Sequence, residues 1–246
     1  MATTIDAIAG NRPGGRGYMA DQAFFTRYAI FLAAFILFGF IQFELRGFVD
    51  IRTVPPIFHL HGAVMVSWLA LGVVQNLLIS KMQVKTHRTV GWIGAALAVA
   101  VVAVGMAAGR AALGYHSVPP FFTNAYFLSL THVEPLLFAL TVAWAIAKRR
   151  DTQWHRRLML ASTILIAEPA LGRLLPIPLL GGWGEWVILA VQLLFVAVLT
   201  RHDRKQLGHV HPATLAGAGV LVASHVLVTL AAMVPAVQSA AALAGA

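Results

Sequence analysis

Cysteine is absent from the 246 residues, which removes disulfides, thiolate metal sites and cysteine nucleophiles from consideration. Charge is scarce as well. Only 11% of the residues are Asp, Glu, Lys or Arg, against 59% hydrophobic, and the mean hydropathy is +0.78. A water-soluble domain carries roughly a quarter charged residues, so this chain belongs in a bilayer. There is no phosphate-binding loop, no HExxH and no GxSxG. The apolar runs contain no lysine, which excludes a retinal Schiff base. The first 20 residues lack an apolar core, so no cleaved leader is expected.

Long hydrophobic runs are what the chain has in abundance. Stretches of about 20 residues long enough to cross a bilayer fall at 24–43, 56–80, 89–109, 123–147, 157–177, 182–200 and 213–237. The expected fold is all-α: an integral membrane helical bundle of seven transmembrane helices around a four-helix core formed by spans 2 to 5. Span 3 carries Gly91, Gly94, Ala98, Gly105 and Gly109, small residues that let helix backbones approach closely. Residues 1–22 read as a cytoplasmic segment, 23–237 as the transmembrane domain and 238–246 as a short featureless tail.

The sequence pI near 10.9 follows from topology. If the N-terminus is cytoplasmic, fourteen of the eighteen Lys and Arg lie on that side, and Arg46, Arg52, Arg110 and Arg173 on the other. Such a positive-inside bias predicts a multi-pass inner-membrane protein with a cytoplasmic N-terminus and a periplasmic C-terminus. It leaves no basic patch to assign to nucleic acid; the partner it implies is the lipid bilayer.

Polar side chains inside apolar runs are expensive, so they are site candidates by default. His61 and His87 lie 26 residues apart, His132 and His155 23 apart, and the second histidine of each pair precedes an arginine (His87-Arg88, His155-Arg156). A helix pair is thus repeated. In span 2, His61, Met65, Trp68, Gly72 and Gln75 follow at steps of 4, 3, 4 and 3, one stripe that faces protein. His132 and Glu134 in span 4, Glu168 in span 5 and His225 in span 7 fall at comparable depth.

Three chemistries fit these residues. Imidazoles on two helices can ligate haem iron from both faces; His61 and His132 are the candidates, with a second, shallower pair in His87 and His155 and propionate partners in Arg88, Arg156 and Arg157. Imidazole with carboxylate instead suits zinc, copper or non-haem iron, with His61, His132, Glu134, Glu168 and His225 as ligands. Thirdly, the same groups could form an interhelical network, with Glu134 or Glu168 paired to Arg173. His202, His209 and His211 read as solvated loop residues. The function expected is haem or metal binding in redox chemistry, electron transfer or oxidase cofactor maturation. The alternatives are a metal-dependent membrane hydrolase and a sensory or structural module.

The segments FHLHGAVMVSWLALGVVQ, HRTVGWIG and WHRRLMLAST resemble a broad group of bacterial multi-pass membrane proteins of unknown function, over roughly residues 56 to 170. The order of histidines over four helices is more distantly similar to the transmembrane b-type cytochromes that carry two haems. That resemblance implies haem b, pairing of His61 with His132 and of His87 with His155, and quinone or respiratory-chain proteins as partners.

Overall fold

The computed structural model describes residues 15–246, with side chains from residue 21 onward; most of the expected cytoplasmic segment 1–22 lies outside the described residues. Among the described residues there is no strand. The helices are α1 (Gly15–Leu45), α2 (Pro56–Ser80), α3 (Val84–Gly114), α4 (Asn124–Ala147), α5 (Thr152–Leu165), α6 (Glu168–Leu174), α7 (Ile177–Leu180), α8 (Gly184–Leu207), α9 (Pro212–Ala232) and α10 (Pro235–Ala244), with a single 3-10 turn at Gly181–Trp183.

Local chemistry sets the boundaries. Proline stands in the first turn of α2, α9 and α10, where its missing N–H has no partner to lose. Thr123 Oγ1 caps α4 by accepting from Tyr126 N–H (3.1 Å), and the Asp151 carboxylate caps α5 by accepting from Gln153 and Trp154 N–H (3.0 and 3.2 Å), as oxygen side chains do at N-caps. Gly208, at φ +78°, ends α8 in the left-handed conformation that glycine adopts without strain.

Among the described residues, six stretches are long and apolar enough to cross a membrane: α1 from Asp21, α2, α3, α4, Ile177–Leu207 and α9. The fifth expected span, 157–177, departs from the sequence reading because it is broken into α5 and α6. Pro169 has no N–H for the Leu165 carbonyl, and its ring opposes that carbonyl. Gln192 of α8 repairs the gap, its amide Nε2 donating to Leu165 O (3.1 Å) and Ile164 O (3.2 Å). The two pieces still run the length of α1: Arg156 at the start of α5 pairs with Asp21, and Arg173 O at the end of α6 accepts from Gln42 Nε2 (3.0 Å). The 21 residues between Asp21 and Gln42 rise about 32 Å at ~1.5 Å each.

The core includes spans 2 to 5 and extends beyond them into α1, α8 and α9. In their most apolar stretches only 11% of α2 and of α3 is buried, against 44% of α1 and 33% of α4. The main cluster joins Phe25, Leu32, Trp68, Val101, Phe138, Ile164, Leu189 and Leu221, from α1, α2, α3, α4, α5, α8 and α9. Helices α2 and α3 pack on one side of it and turn most of their surface outward. Tight contacts follow the small residues: a Cβ on Gly39 would lie 2.9 Å from Ala170 Cβ, and one on Gly217 2.8 Å from Ala161 Cβ. The residues after 237, read as featureless, belong to α10, which packs on α4 and α3.

At the end of the bundle that carries most of the basic residues, α1, α5 and α8 are tied by ion pairs and α9 joins them through hydrogen bonds. Arg157, fully buried, donates through Nε and Nη2 to Asp203 Oδ1 (3.0 and 2.5 Å). Asp203 Oδ2 accepts from Thr214 Oγ1 (2.5 Å) and His211 N–H (3.0 Å). His202 is buried, in contrast to its reading as a solvated loop residue: its Nε2 meets Asp21 Oδ1 at 2.8 Å and its ring stacks on Phe24 at 3.6 Å. Arg156 lies over the Phe25 ring at 4.0 Å.

Candidate metal centre

The break between α5 and α6 places a carboxylate deep in the protein. Glu168 begins α6 at the kink and is 3% exposed. Glu185, in the first turn of α8, and His225, in the middle of α9, converge on it. One ligand atom from each of the three lies within 4.8 Å of the other two. His225 Nε2 is 3.8 Å from Glu168 Oε2, and its Nδ1 is 3.6 Å from Glu185 Oε2. Gln192, two helical turns after Glu185 on the same face of α8, holds the imidazole: His225 Nε2 lies 2.9 Å from Gln192 Oε1. Because both Gln192 donor contacts go to carbonyls, its oxygen is the acceptor and the ring N–H the donor.

Glu134 reaches the same place from α4, its carboxyl within hydrogen-bonding reach of Glu168. Tyr126, two turns earlier on α4, stands near Glu185 without a hydrogen bond of ordinary length to it. Oxygens on all three carboxyls lack partners: Oε1 of Glu134, Oε1 of Glu168 and both oxygens of Glu185. Buried polar atoms are paired in the large majority of cases, so this concentration is exceptional. Arg173 does not pair with Glu134 or Glu168; it donates to Pro169 O (2.7 Å) and lies over Phe40 at 4.3 Å.

The expected ligand set is therefore divided. Glu134, Glu168 and His225 come together, while His61 and His132 stand outside the cluster and make no ring contact with each other. His61 faces α3, its Cε1 3.8 Å from where a Gly105 Cβ would be, and its buried Nδ1 has no partner. His132 is 200° round α4 from Glu134 at ~100° per residue; its Nδ1 lies 2.8 Å from Leu128 O, and the ring lines a cavity beneath α10.

His87 and His155 do meet, with ring centres 6.3 Å apart and planes at 85°. His155 Nδ1 lies 2.8 Å from Ala145 O, so it carries the proton and leaves Nε2 with a lone pair. With the amide turned so that both of its atoms are satisfied, Gln75 donates to His87 Nδ1 (2.5 Å) and accepts from Gly91 N–H (2.9 Å). The span-2 stripe thus faces protein, as its composition predicts. Arg88 beside the pair is exposed, whereas Arg156 and Arg157 are engaged with Asp21 and Asp203.

Sequence reasoning passed over Glu185 and Gln192 as site residues. The available signal was their spacing of seven in an otherwise apolar run, which puts a carboxylate and an amide on one helix face. Fold and site together define a multi-pass membrane protein of helical class with a buried His/Glu cluster. No protein-family model, curated protein or solved structure matches the chain.

Proposed function

We propose that this protein is a membrane metalloenzyme of the hydrolase type, its divalent ion held by Glu168, Glu185 and His225. The observation that carries the reading is the set of unpartnered carboxyl oxygens around one imidazole at a depth where water is scarce. Unpaired buried carboxylates cost several kcal/mol each, and no Arg or Lys among the described residues pairs with them. A doubly charged cation supplies that compensation. One nitrogen and several carboxylate oxygens suit zinc, manganese or ferrous iron better than soft cuprous copper.

Three protein ligands leave a coordination position open, as catalytic sites do. When bound, the ion would supply Lewis-acid activation of a water. Gln192 keeps His225 Nε2 as the donor, so Nδ1, on the Glu185 side, is the nitrogen that would hold an ion. Glu134, beside Glu168, is placed to take a proton. Glu185 has the most open side chain of the three, 19% exposed against 4% for Glu168, though both of its carboxylate oxygens are buried.

The test is metal analysis of protein purified gently in detergent. About one equivalent of zinc, manganese or iron is expected in wild type, with loss in both Glu168→Gln and His225→Ala. Wild-type protein that neither retains a metal nor is thermally stabilised by one refutes the reading.

A second reading is favoured by the His87–His155 contact. The two ring centres lie 6.3 Å apart, near enough that the pair would be able to hold one metal or haem iron between them. His155 already has the required tautomer. His87 fits only with its proton moved to Nδ1 and the Gln75 amide turned over. Haem b held by this pair would serve electron transfer with quinone or respiratory-chain partners. A Soret band that disappears in His155→Ala supports it, and a colourless wild-type preparation dismisses it.

A further inference from the structure

A cavity lies on the opposite face of α4 from the carboxyl cluster. It measures about 420 Å³ and is roofed by α10, whose Ala236, Val237, Ala240 and Ala244 leave room beneath them. Its polar features are Arg110 of α3 and Ser129 and His132 of α4. Ser129 Oγ is spent on Ala125 O (2.8 Å), and His132 Nδ1 on Leu128 O (2.8 Å). His132 Nε2 is left over. Arg110, an exposed residue one turn from the end of α3, pairs with no carboxylate among the described residues.

We propose that this cavity binds a single-chain anionic amphiphile, a long-chain fatty acid, with its carboxyl group on Arg110 and His132 and its chain under the alanine face of α10. The head assignment follows from charge and hydrogen-bonding capacity. A guanidinium lacking a carboxylate partner matches a carboxylate, and the bare Nε2 of His132 accepts the proton of the acid form. The chain assignment follows from the walls, which apart from the three polar residues are Ala, Val and Leu. At about 420 Å³ the cavity is near the lower end of the ~300–1,000 Å³ range of ligand pockets, which favours one chain over the two of a phospholipid. α10, which begins at Pro235, is placed as the cover of this site.

The experiment is displacement of a fluorescent fatty acid from the purified full-length protein by oleic acid, by methyl oleate and by a two-chain phosphatidic acid. Wild type is expected to bind one equivalent of oleic acid, with methyl oleate at least tenfold weaker. Arg110→Gln should weaken oleic acid at least tenfold, and Ala240→Phe, which fills the cavity without touching the head contacts, should abolish binding. Folding of each variant is checked by its thermal transition, with Arg110→Lys as the charge-preserving control that retains most of the affinity. Equal binding of oleic acid and its methyl ester, or wild-type affinity in both Arg110→Gln and Ala240→Phe, overturns the proposal. Preferential binding of phosphatidic acid overturns the single-chain assignment and with it the proposal. None of these readouts depends on the metal content of the carboxyl cluster.

Discussion

Gln192 joins the backbone break to the candidate site, and its replacement tests both. In Gln192→Met the side chain keeps its approximate size but loses the donor to the Leu165 and Ile164 carbonyls (3.1 and 3.2 Å) and the acceptor for His225 (2.9 Å). Ile164 O keeps a second donor in Ala167 N–H (3.1 Å), so the groups stranded are Leu165 O and His225 Nε2–H. Gln192 is 0% exposed, and each stranded buried group costs roughly 1–3 kcal/mol. Hydrogen bonds within membrane bundles average nearer ~0.6 kcal/mol, so the expected loss is about 1–4 kcal/mol. The assay is reversible unfolding in mixed micelles, alone and in a Pro169→Ala background. With alanine at 169 an N–H is restored for Leu165 O, so Gln192→Met should cost less there, with a coupling of about 1 kcal/mol. The same substitution frees the His225 ring and should weaken metal binding roughly 10–100-fold, the usual effect of losing an outer-shell partner. Refutation would be Gln192→Met as stable as wild type with unchanged metal affinity, or an identical cost in both backgrounds.

Three further outcomes are expected. Asp203→Ala leaves the fully buried Arg157 without its counter-ion and should destabilise by about 3–5 kcal/mol, with Arg157→Leu added to it recovering part of the loss; denaturant titration of the variants measures both. His211 caps α9 by accepting from Ala213 N–H through Nδ1 (3.1 Å), and burial, then Arg157, hold its pKa below the ordinary 6.5. The neutral ring is therefore favoured by the fold, so this contribution is complete above pH 6.5 and fades as pH falls below it; His211→Asn, a cap that does not titrate, should flatten the pH dependence of the thermal transition in that window, and an unchanged profile would reject the assignment. Reporter fusions at Arg150 and Arg204 should face the cytoplasm and those at Gly181 and Ala246 the other side; fusions at Arg150 and Gly181 reporting the same side would show that the broken α5–α6 pair does not cross.

Much of the architecture was legible in the sequence because a bilayer imposes a length and composition on anything that crosses it. Helices α2 and α4 begin and end within a residue of their expected spans, since Pro56, Thr123 and the flanking charges mark both ends chemically. The buried face of α2 could be read from the stripe of His61, Met65, Trp68, Gly72 and Gln75, and the depth of Glu134, Glu168 and His225 from residue counts. Composition alone therefore determined that this is an all-α multi-pass membrane protein and which polar residues are immersed in it. What only the tertiary structure decided is which of those residues meet. Depth is a single coordinate, and helices at equal depth can face any neighbour: His61 and His132, matched in depth, lie apart from the carboxyl cluster, whereas Glu185, at the edge of its run, turns into it. The break at Pro169 was equally hidden, because a proline's effect on a helix depends on whether a neighbour such as Gln192 satisfies the carbonyl it frees. The packing order of α1, α4, α5, α6, α8 and α9 arises from close approaches such as Gly39 to Ala170 and Gly217 to Ala161, contacts between residues far apart in the chain that no local pattern encodes.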